Sequence, residues 1–77
     1  MKIRVELFAN LIKYAPEGKK KFTIELNNGS TVGDLFEYLN IPEEERKIVI
    51  INGRHSQNDT VIEDGAEVVI MTPVEGG

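Results

Sequence analysis

Few side chains in this 77-residue chain are equipped for chemistry: there is no Cys, and His55 is the single imidazole. Without thiols there is no disulfide and no cysteine nucleophile, and one His makes no zinc or iron–sulfur ligand set. His55 also lacks a second ligand or nucleophile at a recognisable spacing, so it is not read as a catalyst. What remains is the end of the chain, Pro73-Val74-Glu75-Gly76-Gly77. Pro73 fixes φ and stiffens the exit from the preceding strand, while Gly76 and Gly77 strip both side chains from beside the terminal carboxylate. A chain end without Cβ atoms can enter a narrow channel and place its carboxylate where a bulkier residue would clash.

The elements that must carry this end form one small domain. A chain of 8.6 kDa buries only about 60% of its unfolded surface, which leaves one modest core and little room for an enclosed active site. An independent redox, metal or cysteine enzyme is excluded. With 13 Asp+Glu against 9 Lys+Arg the net charge is −4, which repels the phosphate backbone that dominates nucleic-acid affinity. The longest apolar runs, Ile48-Val49-Ile50-Ile51 and Val68-Val69-Ile70-Met71, are four residues each, against about 20 for a membrane span. No continuous apolar stretch of a signal peptide opens the chain. The expectation is a cytoplasmic protein with neither nucleic acid nor membrane as partner.

From Lys2 to Phe8 the chain alternates, with Ile3, Val5 and Leu7 in one phase and Lys2, Arg4 and Glu6 in the other, the pattern of a half-buried strand. Asn10 to Ala15 carries Leu11, Ile12 and Ala15 at roughly helical spacing before Pro16. Lys21 to Leu26 alternates again and meets the turn-forming Asn27-Asn28-Gly29-Ser30. Then the period changes: Val32, Leu35, Phe36 and Leu39 make one helical stripe, Thr31 is the N-cap and Asp34 completes a capping box. The helix is expected from Thr31 to about Asn40. The strand Ile48–Ile51 follows, then the hairpin dipeptide Asn52-Gly53, a short strand Arg54–Ser56, the turn Asp64-Gly65, and a last strand from Ala66 to Met71. Tyr14 and Tyr38 are read as half-buried packing residues.

The order β, β, α, β, β, β gives an α+β fold. One helix lies across one face of a mixed sheet, packed on Ile3, Val5, Leu7, Phe22, Ile24 and Leu26. The first and last strands pair in parallel at the centre. Residues 1–72 are then the domain and 73–77 an exposed tail.

With this pattern the sequence resembles the ubiquitin-like β-grasp sulfur carriers, meaning the molybdopterin synthase small subunit and the thiamine-biosynthesis sulfur carrier. The resemblance spans Ile3-Arg4-Val5-Glu6-Leu7-Phe8-Ala9, Thr31-Val32-Gly33-Asp34-Leu35, Ile51-Asn52-Gly53, Asp64-Gly65-Ala66-Glu67-Val68 and Pro73-Val74-Glu75-Gly76-Gly77. The Pro-Val-x-Gly-Gly ending points to the molybdopterin branch. The family usually carries Asp at the position of Ala66, and the molybdopterin branch often has two prolines at the position of Thr72-Pro73; these departures bear on the pathway and leave the fold untouched.

The resemblance implies that a partner, an E1-like adenylating enzyme, activates the Gly77 carboxylate with ATP. A sulfur donor then displaces AMP to leave a thiocarboxylate. An α-carboxylate is ionised at neutral pH and accepts a sulfur nucleophile poorly until AMP becomes its leaving group. The chain itself would bind no cofactor: ATP and magnesium belong to the activating partner, and in the molybdopterin synthase large subunit or an equivalent acceptor the thiocarboxylate would deliver its sulfur to a pterin precursor. Gly77 supplies the reacting carbon, and Gly76, Glu75, Val74 and Pro73 supply access. The alternatives are a thiamine-pathway carrier, a ubiquitin-like modifier joined to lysines through Gly77, and a non-catalytic β-grasp interaction module.

Docking needs a surface as well as a tail. Phe8 falls in the phase of Arg4 and Glu6, and Val69 and Met71 in the phase of Glu67, so parallel pairing brings Phe8 and Met71 together where the tail leaves. An apolar partner-docking patch of Phe8, Val69 and Met71 is expected there, unless a loop or the short helical turn covers it. Residues 1–22 hold six basic and two acidic groups, residues 23–77 three and eleven. Asp59, Glu63, Asp64, Glu67 and Glu75 would set an acidic face round the tail, and Lys19-Lys20-Lys21 reads as a solvated connection.

Overall fold

In the computed structural model, which describes residues 1–73, the alternating segment at the start of the chain is strand β1, Lys2–Leu7. The rest of the expected tail, Val74 to Gly77, lies outside the described residues. Two short 3₁₀ helices, Ala9–Tyr14 and Pro16–Gly18, lead into β2, Lys21–Glu25. Helix α1 spans Val32–Leu39, and β3 (Ile48–Ile51), β4 (Arg54–Ser56) and β5 (Glu67–Met71) follow among the described residues. The sheet order is β2-β1-β5-β3-β4, with β1 and β5 parallel at its centre and the other pairs antiparallel. This is the β-grasp arrangement read from the sequence.

The helix forms for the reasons its sequence suggests. The Thr31 hydroxyl accepts from the Asp34 N–H at 3.2 Å, and the Asp34 carboxylate accepts from the Thr31 N–H at 2.9 Å. Two further first-turn amides are met by the loop after β4: Val32 donates to the Thr60 carbonyl and Gly33 to the Asn58 carbonyl. Asn40 ends the helix in the left-handed region at φ 59°. Val32, Leu35, Phe36 and Leu39 are buried against Ile3, Val5, Leu7, Val68 and Ile70. Ile41 and Ile62, from the loops, are buried in the same core.

Two expectations need correction. Tyr38 is 53% exposed and not half-buried, because it falls off the helical stripe that faces the sheet. The last strand begins at Glu67 rather than Ala66. Ala66 instead ends the Asp64-Gly65 turn, which is tied to β1: Gly65 donates to the Lys2 carbonyl and Asp64 accepts from the Lys2 N–H, both at 2.8 Å. Tyr14 is partly buried against the core, as expected.

Candidate functional site

Strand alternation divides the sheet into two faces. The face carrying Ile3, Val5, Leu7, Val68 and Ile70 is covered by α1. The opposite face carries Arg4 and Glu6 from β1, Glu67, Val69 and Met71 from β5, and Ile48 and Ile50 from β3, as the registers require: Arg4 pairs with Glu67, Glu6 with Val69, Val69 with Ile50, and Met71 with Ile48. Phe8 continues this face beyond β1. Its N–H donates to the Ile70 carbonyl at 3.1 Å, which carries the parallel ladder one step further and brings Phe8 level with Met71.

The structure therefore places Phe8, Val69 and Met71 on one face, each partly buried and none in the buried core. Ile48 and Ile50 join them, also partly buried. These two were not legible beforehand, because the unbroken run Ile48-Val49-Ile50-Ile51 shows no phase. Only the register with β5 separates Ile48 and Ile50 from the core-facing Val49 and Ile51. The other half of the face is ionic. The Arg4 guanidinium meets the Glu67 carboxylate at 2.8 Å, and a shallow hollow of about 370 Å³ opens among Arg4, Glu6, Lys21, Thr23, Glu67 and Val69.

Lys20 joins the two halves. Its ammonium stands 4.1 Å from the centre of the Phe8 ring and 3.6 Å from the Glu6 carboxylate. The residue expected to be a merely solvated link is thus part of the patch. Of the residues expected to form an acidic surround, Asp64 and Glu67 lie away from Met71, engaged by Lys2 and Arg4 at the start of β5. Glu75 lies outside the described residues, as do Val74, Gly76 and Gly77.

Pro73 is partly buried and borders a second hollow of about 510 Å³, together with Glu43, Glu45, Arg46, Lys47 and His55. Lys47 organises this side: its ammonium donates to the Glu45 and Pro42 carbonyls at 2.7 and 3.2 Å and lies 4.7 Å from the Phe36 ring centre. His55 is exposed on β4, in register with Ile50. Among the described residues no group of His, Asp and Glu is placed to hold a metal ion. No described helix is long and apolar enough to cross a membrane.

A family model described as the ThiS family matches residues 5–77. Among solved structures, a putative molybdopterin converting factor subunit 1 from Pyrococcus furiosus is 28% identical, with 95% of this chain and 98% of that one covered at a TM-score of 0.77. SAMP1 from Haloferax volcanii is 22% identical over the whole of both chains, at a TM-score of 0.78. A complex of subunits 1 and 2 of the molybdopterin-converting factor from Helicobacter pylori matches at 22% identity over the whole of both chains, with a TM-score of 0.67. No curated protein matches the chain.

Proposed function

The chain belongs to the ThiS family and is a ubiquitin-like β-grasp sulfur carrier or modifier, and from that premise we propose that it carries sulfur as a thiocarboxylate on Gly77 for molybdopterin synthesis. The observation that carries the pathway is the 28% identical molybdopterin converting factor subunit 1, which this chain matches over nearly its whole length. The Pro73-Val74-Glu75-Gly76-Gly77 ending supports the same branch.

The division of labour follows from chemistry. An adenylating partner couples the Gly77 carboxylate to ATP, releasing pyrophosphate, and the acyl adenylate becomes the electrophile that the ionised carboxylate is not. Hydrosulfide-level sulfur released by the donor then attacks the carbonyl carbon, AMP leaves, and loss of the S–H proton gives the thiocarboxylate. The chain contributes a carbonyl carbon and an unhindered approach through Gly76 and Gly77; ATP, magnesium and catalytic side chains come from the partner. The sheet face of Phe8, Val69 and Met71 docks the domain, so that the chain beyond Pro73 reaches the partner's site. A large subunit like that in the Helicobacter pylori complex is the proposed docking partner, in which a pterin precursor takes the sulfur.

The pathway is tested by charging the protein with sulfur and offering it separately to a molybdopterin synthase large subunit with its pterin precursor, and to a thiazole synthase with its substrates. Sulfur transfer to the pterin alone is expected. Transfer to the thiazole alone assigns the chain to thiamine synthesis, and adducts on protein lysines assign it to protein modification.

A further inference from the structure

The charges on the open sheet face do not balance. Among the described residues Lys2, Arg4, Lys20 and Lys21 project there against Glu6, Glu25 and Glu67, one cation in excess, although the chain as a whole carries a net charge of −4. Glu67 is taken by Arg4 at 2.8 Å. Glu6 is left between two cations: it lies 3.6 Å from the Lys20 ammonium and pairs in register with Lys21. At 3.6 Å the Lys20–Glu6 contact is longer than a charge-assisted hydrogen bond, which spans roughly 2.7–2.9 Å. Lys20 is thus held over Phe8 by a ring and a distant carboxylate, with donors to spare.

That position matters once the face is covered. Any surface that packs on Phe8 and Met71 must push the Lys20 ammonium aside or enclose it, and enclosing an ammonium without a full set of acceptors is strongly unfavourable. A partner oxygen that completes its hydrogen bonds removes the penalty, and a carboxylate also neutralises the excess cation. We infer that the protein partner covering this face brings a carboxylate to Lys20, beside apolar side chains that pack on Phe8, Val69 and Met71. The partner is therefore a surface of mixed acidic and apolar character, and Lys20 selects for it. The inference rests on the docking role proposed for this face.

The test uses the full-length chain and the E1-like adenylating enzyme from the same genome, reading the half-saturating concentration of the chain in ATP–pyrophosphate exchange. Lys20→Glu is expected to raise it by about tenfold or more, the scale of one charged hydrogen bond lost in a desolvated contact. Lys20→Arg is expected to stay close to wild type. Phe8→Asp reports on the face independently, and unchanged circular dichroism and melting temperature certify the fold of each variant. A carboxylate-to-lysine substitution on the enzyme that restores Lys20→Glu would establish the pairing. If Phe8→Asp loses docking while Lys20→Glu matches wild type, the face docks and the carboxylate inference is wrong. If both match wild type, the docking role falls and the inference with it.

Discussion

The Asn52 side-chain oxygen accepts a hydrogen bond from the Glu67 N–H at 3.0 Å, while the Asn52 N–H donates to the Glu67 carbonyl at 2.9 Å. The hairpin turn between β3 and β4 is thereby tied to the first residue of the central strand that leads to Met71. Asn52 does this from φ 49°, followed by Gly53 at φ 83°, the pair of positive angles that a two-residue hairpin turn requires. Asn52→Ala loses the side-chain bond and must hold the same left-handed angle, so it should cost about 1–2 kcal/mol. Asn52→Gly keeps the angle and should cost less. Urea unfolding of the two variants separates the bond from the backbone.

The reciprocal bonds of Thr31 and Asp34 should each be worth about 1 kcal/mol. Because they close one box, Thr31→Ala and Asp34→Ala should together cost less than the sum of the single variants, by about 0.5 kcal/mol or more. Strict additivity in a double-mutant cycle would show that the two bonds act independently.

Neighbouring residues of β5 should respond in opposite ways. Ile70 is fully buried and Val69 is not, so Ile70→Ala should destabilise by about 2–5 kcal/mol and Val69→Ala by about 1 kcal/mol or less. The order reverses for docking: Val69→Asp should weaken adenylation by the partner while the melting temperature stays near wild type. Unfolding of Val69→Asp would mean that the open face is structural.

The faces of β1 and β5 were readable from sequence because a period of two assigns each side chain to a side without knowledge of its neighbours. Phe8, Val69 and Met71 could be grouped on that ground together with the expected parallel pairing of the first and last strands. Ile48 and Ile50 could not, since an apolar run becomes two-faced only through its register with β5. Lys20 was hidden for a different reason. Its height over Phe8 depends on the backbone of the second 3₁₀ helix, just ahead of β2, where Glu17 at φ 57° and Gly18 at φ 70° turn the chain. Such angles leave no periodic trace when one of the two residues is not glycine. The true surroundings of Asp64 and Glu67 were likewise set by pairing across the sheet and not by closeness in sequence to the chain's end.

Ala9, directly after Phe8, occupies the left-handed region at φ 56°, where a Cβ costs about 1–2 kcal/mol that glycine avoids. Glycine also loses more freedom on folding, by about 0.5–1 kcal/mol. Ala9→Gly should therefore leave stability unchanged or raise it by up to about 1.5 kcal/mol, whereas the branched Ala9→Val should lower it. Thermal unfolding of the two variants checks the sign.

The central claim is that Gly77 carries the sulfur. Intact mass spectrometry of the chain after incubation with its adenylating enzyme, ATP and a sulfur donor tests it most directly. The account predicts an ATP-dependent mass gain equal to one oxygen replaced by sulfur, located at Gly77 by fragmentation and absent when Gly76 and Gly77 are deleted. An unchanged mass under conditions where the enzyme releases pyrophosphate, or a gain that survives the deletion, would contradict it.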